Sequence, residues 1–217
     1  MHDPIIAGAA AKRFAIPDDT AMLRAAAELA REYAVANPKI YWPDMLVSAL
    51  VGYAGLAGAI LIDTVPLANG SALVAILALF RAVSFIHEVT PIRKDALPGF
   101  RLGWNLMVGI PLMIPSFMYE DVHTQHHART RYGTANDPEY LPLALMKPWS
   151  LPLFILVAAL APVGLILRFG LLMPISLILP GLRRKVVAEL SALSINPAYR
   201  RRAPGGAFRR PWMWLEA

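Results

Sequence analysis

The sequence of 217 residues contains no cysteine, and only 17% of its residues are charged. Without cysteine the chain can form no disulfide, use no thiolate as a nucleophile and hold no cysteine-ligated zinc or iron–sulfur cluster. A metal ion bound to this chain must therefore use histidine, aspartate or glutamate. The scarcity of charge stands beside 57% apolar residues, whereas soluble domains carry about 25% charged residues. This composition argues against an ordinary soluble globule and against a disordered chain.

Charge is absent altogether from four long segments. Asp, Glu, Lys and Arg are all missing from residues 45–62, 64–80, 102–119 and 148–167. Helical segments of this length reach across the hydrocarbon core of a bilayer, which is about 30 Å thick. The sequence therefore predicts an all-α integral membrane protein with a membrane domain over residues 45–182.

The N-terminal segment, residues 1–44, is expected to be soluble or interfacial. Within it, residues 18–37 have the composition of a soluble helix that begins at Asp18, Asp19 or Thr20 and ends at Asn37-Pro38. Tyr41 and Trp42 follow, and such aromatic residues favour the membrane interface. We therefore expect the chain to enter the membrane just after them.

The apolar segments predict a topology with several crossings. Two crossings by 45–62 and 71–87 return the chain to its starting side. Residues 102–119 contain Pro111 and Pro115, and we interpret them as re-entrant or interfacial. Residues 148–182 form either a short hairpin or one long broken helix. The hairpin is favoured because it returns the basic C-terminal part to the cytoplasmic side.

The net charge of +6 comes from the C-terminal tail, residues 183–217. Eight Arg and Lys residues lie between positions 183 and 210, against the single acidic residue Glu189. Basic tails bind nucleic acids or anionic lipids. Since this tail follows apolar spans, anionic lipid headgroups are the expected partner, and nucleic acid is not.

Three of the five histidines lie within five residues, as His123-Thr-Gln-His126-His127. On a helix all three fall on one face, because positions three and four apart are neighbours. Neutral imidazoles suit iron, zinc, copper and nickel. The cluster therefore indicates a metal site, with a chance grouping of surface or core histidines as the alternative.

A fourth histidine lies in His87-Glu88-Val-Thr-Pro91. The fifth position of this motif is proline, which supplies no ligand and is unfavourable inside a helix. His87 alone could be an ordinary interface residue. Its case as a ligand rests on the cluster at 123–127, to which we expect it to lie close.

The stretches FIHEVTP, GWNLMVGIPLMIPSF and HTQHHARTRYGTANDPEY, between Phe85 and Tyr140, resemble the membrane fatty acid desaturase family. This resemblance implies a helical membrane domain in which three histidine boxes hold two irons on the cytosolic side. It also implies an enzyme that uses O2 and electrons from a donor protein to introduce a double bond into an acyl chain of a membrane lipid. Related members hydroxylate instead.

The resemblance assigns roles to particular residues. His87 corresponds to the first ligand of box one, and His123, His126 and His127 correspond to box two. Pro91 stands where box one would have its second histidine, and no histidine follows His127. We therefore expect the membrane domain to be incomplete and iron binding and desaturation to be impaired in this chain.

Several polar residues near the boxes are candidates for orienting the ligand histidines by hydrogen bonds. They are Glu88, Asp121, Asp137 and Glu139. Arg129 and Arg131 are further candidates, either for this role or for docking the electron donor. The alternative functions are a lipid hydroxylase of the same superfamily, a catalytically dead membrane fragment or pseudoenzyme, and a mononuclear zinc site.

Overall fold

A computed structural model of the chain describes residues 19–31, 36–89, 96–128, 130–134, 136–196 and 199. These residues are helical, and no β-strand occurs among them. Three helices are long and apolar enough to cross a membrane, namely Pro38–Leu61, Val65–Val89 and Ser150–Ile178. The predicted all-α membrane class is thus confirmed.

The helices in chain order are α1 (Thr20–Ala30), α2 (Pro38–Leu61), α3 (Val65–Ser84), α4 (Ile86–Val89), α5 (Phe100–Trp104), α6 (Phe117–His126), α7 (Ser150–Leu167), α8 (Met173–Ile178) and α9 (Pro180–Glu189). Two π-helical turns, Asn105–Gly109 and Arg168–Leu172, and a 3₁₀ turn, Leu143–Leu145, lie between them. The chain divides into two compact units between residues 36 and 37.

The first unit contains α1, which is shorter than the predicted helix over residues 18–37. Asp19 begins it by accepting a hydrogen bond from the Met22 N–H at 2.9 Å. Asn37 does not end this helix but begins α2, because its side chain accepts a hydrogen bond from the Lys39 N–H at 3.0 Å. Proline at the first helical position suits this start, since its missing N–H would have no partner there.

In the second unit, α2 and α3 form a closely packed antiparallel hairpin. Gly52, Gly55 and Gly58 of α2 face α3 across this contact. A Cβ added at Gly55 would lie 2.9 Å from the backbone nitrogen of Ala75. Small residues of this kind let two membrane helices approach with their backbones nearly in contact.

Aromatic side chains close one end of this hairpin. Phe100 of α5 packs edge-to-face against Tyr41, Trp42 and Phe85, with ring centroids 5.2–5.9 Å apart. Trp104 is fully buried and donates its indole N–H to the Ala82 carbonyl at 2.9 Å. The start of α2, the end of α3 and α5 are therefore held together.

Residues 102–119 do not form one continuous helix. After the π turn the chain reverses at Met113, whose φ of 60° lies in the left-handed region. Asn105 joins the two arms, since its Oδ1 accepts from the Ser116 N–H at 2.8 Å and its Nδ2 donates to the Ser116 Oγ at 2.9 Å. The segment is folded back on itself, and the side of the membrane on which each flank lies stays a prediction.

Residues 150–178 form one 29-residue helix and not the favoured hairpin. Arg168, which interrupts the apolar pattern, does not lie in a turn. Its buried guanidinium donates to the Leu190 carbonyl at 2.8 Å and to the Ser191 Oγ at 2.7 Å. Pro174 lies in the first turn of α8, directly after the π turn.

The expected boundary of a basic tail at residue 183 falls inside a packed element. Arg183 is buried on α9, next to the buried pair Val186 and Val187. Beyond α9, the Leu193 N–H donates to the Met118 carbonyl of α6 at 2.9 Å. This part of the basic segment therefore belongs to the folded unit, and residues 200–217 lie outside the described residues.

Candidate metal centre

Helix α6 and the residue that caps its C-terminus, His127, present four ring side chains on neighbouring turns. Tyr119, His123 and His127 follow one another at intervals of four residues, so their side chains lie on one face. The rings of Tyr119 and His123 stack with centroids 5.0 Å apart, and those of His123 and His127 are 4.3 Å apart. His126 lies beside His127 at 5.5 Å. The spacing in the sequence thus becomes a contiguous row of imidazoles.

His87 joins this row from a different element, the short helix α4. Its ring centroid lies 5.3 Å from that of His123. Its Nδ1 is 2.9 Å from the hydroxyl oxygen of Tyr119. The structure therefore brings all four predicted ligand histidines into one cluster.

Asp137 is fully buried and contacts His126. Its two carboxylate oxygens lie 2.9 and 3.1 Å from His126 Nδ1. The same oxygens accept the backbone N–H groups of Glu139 and Gly133, at 2.9 and 2.8 Å. Burial by itself would raise the pKa of Asp137, but the hydrogen bonds from His126 and the two N–H groups outweigh it and lower that pKa. The carboxylate therefore stays charged and holds the His126 ring through Nδ1.

Glu139 lies between two of the imidazoles. One of its oxygens is 3.8 Å from His123 Nδ1, and the other is 3.9 Å from His126 Nε2. The His123 Nδ1 and the Glu139 Oε1 are both buried and have no hydrogen-bond partner among the described residues. Burial, followed by repulsion from His127, lowers the pKa of His123 and keeps its imidazole neutral. Neutral imidazole is the form that binds metals.

The structure does not bring the other two predicted carboxylates to the histidine rings in the same way. Glu88 points away and accepts a hydrogen bond from the Tyr41 hydroxyl at 3.1 Å. It lines a cleft of about 370 Å³ together with the ion pair of Asp44 and Arg81. Asp121 is exposed on α6. Pro91 and Arg129, also singled out in the sequence, lie outside the described residues.

Sequence reasoning missed two supports of the cluster. Tyr119 belongs to no histidine box, and only its position one turn before His123 marks it. The chain after α9 was not expected near the site, yet Asn196 donates its side-chain N–H to the Asp137 carbonyl at 3.1 Å. Gln125 of α6 likewise donates to the Tyr199 hydroxyl at 2.8 Å. These contacts hold the Asp137 loop against α6.

The chemical types of the side chains in this cluster suit a transition metal. Four imidazoles and two carboxylates lie together, and the two buried atoms without hydrogen-bond partners are a nitrogen and an oxygen, both able to ligate. Within the described ranges, however, no three histidine, aspartate or glutamate side chains converge closely enough to form a ready-made cage. The rings meet edge to face.

A family model described as fatty acid desaturase matches residues 63–217 of this chain. The chain belongs to the fatty acid desaturase family. It is also similar to a curated protein named ceramide hydroxylase from Caulobacter vibrioides (strain NA1000 / CB15N). The two are 47% identical over 195 residues, which cover 90% of this chain and 55% of the relative.

The chain therefore spans about half the length of the curated relative that it matches. No solved structure matches it. Members of the desaturase family are membrane enzymes that act on lipid or acyl substrates and generally depend on two irons. The apolar helices and the histidine row agree with this membership.

Proposed function

We propose that this protein is an iron- and O2-dependent oxidase of lipid C–H bonds, and that its reaction is the hydroxylation of a ceramide-type lipid. The observation that carries the proposal is the single cluster formed by His87, His123, His126 and His127, with the His126 ring held by Asp137. The 47% identity to a ceramide hydroxylase favours hydroxylation over the desaturation that the motifs alone suggested.

The four histidines would supply nitrogen ligands to the iron, and Glu139 is placed to add an oxygen. Bound iron would supply the activation of O2 that cleavage of an unactivated C–H bond requires. In the overall reaction one oxygen atom enters the lipid as a hydroxyl and the other leaves as water, with two electrons from a donor and two protons from solvent. The donor is a partner protein on the cytoplasmic side, where we place the histidines.

The residues of this chain prepare the site in four ways. Asp137 accepts a hydrogen bond from the Nδ1–H group of His126, which leaves Nε2 of that ring for the metal. Burial keeps His123 neutral at physiological pH. The exposed apolar side chains of α2 and α3 would contact the hydrocarbon part of a lipid. The chain continues from α3 to His87. Arg184 and Lys185, both exposed on α9, are available to anionic headgroups.

The experiment is product analysis in a host whose own lipids lack the hydroxylated product. The chain is expressed with and without His126→Ala, and total sphingolipids are compared by mass spectrometry. A ceramide that has gained one oxygen atom supports hydroxylation, and a species that has lost a pair of hydrogens supports desaturation. His2→Ala is the matched control, since it removes the one histidine that belongs to neither histidine motif of the sequence.

Iron content separates the proposal from a catalytically dead membrane protein. Purified protein that binds no iron and yields no product would overturn the enzyme assignment. Protein that binds zinc but not iron under the same loading would instead support the mononuclear zinc alternative.

A further inference from the structure

Tyr119 lies at the junction of the two elements that carry the histidines. It belongs to α6, one turn before His123, and it stacks on that imidazole at a centroid distance of 5.0 Å and an interplanar angle of 29°. Its hydroxyl oxygen is 2.9 Å from Nδ1 of His87, which α4 supplies. The side chain is buried, with 6% of its surface exposed. One residue thus contacts an imidazole from each element.

The hydrogen bond at Nδ1 has a consequence for the other ring nitrogen of His87. A neutral imidazole carries one proton, and the partner of Nδ1 decides which nitrogen holds it. If the phenol oxygen accepts an N–H from Nδ1, Nε2 keeps a lone pair and can bind a metal. If the phenol donates to Nδ1, the proton lies on Nε2 and blocks it.

The proposed metal site requires the first arrangement. A lone pair at Nε2 is available only when Nδ1 carries the proton, and the phenol oxygen at 2.9 Å can accept that N–H because a hydroxyl has two lone pairs. His126 is held in a comparable way, since the Asp137 carboxylate lies at its Nδ1 and leaves Nε2 for the metal.

We propose that Tyr119 is a positioning residue for His87, which it holds as the Nδ1-protonated tautomer with Nε2 available to the metal. This inference rests on the proposed function, because it gives a metal ligand its orientation. Tyr119 fixes the His87 ring against the α6 histidines, where no aspartate or glutamate contacts Nδ1 of His87 among the described residues.

The test is a double-mutant cycle on metal affinity in the full chain, purified in detergent and titrated with Co²⁺, whose visible absorption reports coordination. The variants are Tyr119→Phe, His87→Ala and the two combined. Loss of a partner that orients a ligand typically weakens metal binding about 10- to 100-fold. We expect Tyr119→Phe to weaken binding by that factor, and to add no further loss once His87 is alanine.

The matched control is Tyr53→Phe, since the Tyr53 hydroxyl donates to the Met107 backbone carbonyl at 2.8 Å and not to a histidine. This variant should bind Co²⁺ like the unmodified chain. Unchanged affinity in Tyr119→Phe, or an equal loss with and without His87, would overturn the proposal.

A second measurement does not depend on metal. In the metal-free, ¹⁵N-histidine-labelled chain, the His87 signals are assigned by their loss in His87→Ala. Their nitrogen shifts should report the Nδ1-protonated tautomer, and Tyr119→Phe should convert them to a mixture of tautomers. An Nε2-protonated His87 in the unmodified chain would overturn the proposal. A chain that binds no Co²⁺ but shows the expected tautomer would refute the metal function and leave the role of Tyr119 standing.

Discussion

Asp137 and Asp121 lie close to the same histidines in sequence, and the structure gives them different surroundings. Asp137 is fully buried and contacts His126 Nδ1 together with two backbone N–H groups. Asp121 is exposed on α6. Asp137→Asn replaces one accepting oxygen by an NH2 group, which can only donate. At least one of the three N–H groups, from the His126 ring and the two backbone amides, then loses its acceptor.

We therefore expect Asp137→Asn to weaken metal binding about 10- to 100-fold. Asp121→Asn, which makes the same chemical change on the exposed side of α6, should alter the affinity less than about twofold, as expected of surface substitutions. Both variants are compared with the unmodified chain by Co²⁺ titration. Equal losses in the two variants would mean that Asp137 acts only through overall charge.

The histidine spacing was enough to predict which imidazoles share a face of α6, because three- and four-residue intervals translate directly into neighbouring positions on a helix. It could not choose among Glu88, Asp121, Asp137 and Glu139 as their partners. That choice depends on how the loop after α6 turns, and the loop is held by Ile195 and Asn196, which are distant in sequence.

At the scale of the helices, the closest packing is that of α2 on α3. Gly55→Ala would place a Cβ 2.9 Å from the Ala75 backbone nitrogen. This atom belongs to the helix backbone, so it cannot move aside as the end of a flexible side chain could. Overpacking of this kind costs about 1–3 kcal/mol. We expect a lower midpoint of thermal unfolding in detergent for this variant.

Gly70→Ala is the matched substitution on α3. A Cβ at Gly70 has no atom within 4 Å, and alanine favours the helical backbone by about 0.8–1.0 kcal/mol over glycine. This variant should be as stable as the unmodified chain or more so. If Gly55→Ala proved equally stable, the close approach of α2 and α3 in the structure would be wrong.

Uncharged runs predicted the membrane helices but misjudged where they begin and how they end. The start of α2 lies seven residues before the uncharged run, because Asn37 and Pro38 form a helix start within a polar stretch. Arg168 interrupts the uncharged segments within residues 148–182, where the hairpin was favoured. Its charge is instead satisfied inside the fold by a carbonyl and a hydroxyl from residues 190–191, which no local pattern could predict.

At the scale of the whole membrane unit, the absence of cysteine makes topology directly measurable. α2 has 24 residues, and at 1.5 Å per residue it spans about 36 Å, enough for one crossing. The turn at Asp63 should therefore lie on the opposite side of the membrane from Lys39.

The position of Glu189 is the sharpest test of this arrangement. The 29-residue helix that precedes it is long enough to cross the membrane, which by itself allows either side. Yet the Arg168 guanidinium within that helix donates a hydrogen bond to the Ser191 hydroxyl. The Leu193 N–H donates to the Met118 carbonyl at the start of α6. α9 has ten residues and spans only about 15 Å. It cannot carry the chain back across a bilayer, so residue 189 must lie at the level of α6.

We therefore expect single cysteines at Glu189 and Asp121 to react with an impermeant maleimide from one side, and a cysteine at Asp63 to react from the other. All three residues are exposed, so each position is open to the reagent. Labelling is followed in sealed vesicles of both orientations. A cysteine at residue 189 that reacts together with residue 63 would separate the chain after α9 from the histidine helix. The contacts that hold Asp137 against His126 would then have to come from elsewhere in the protein.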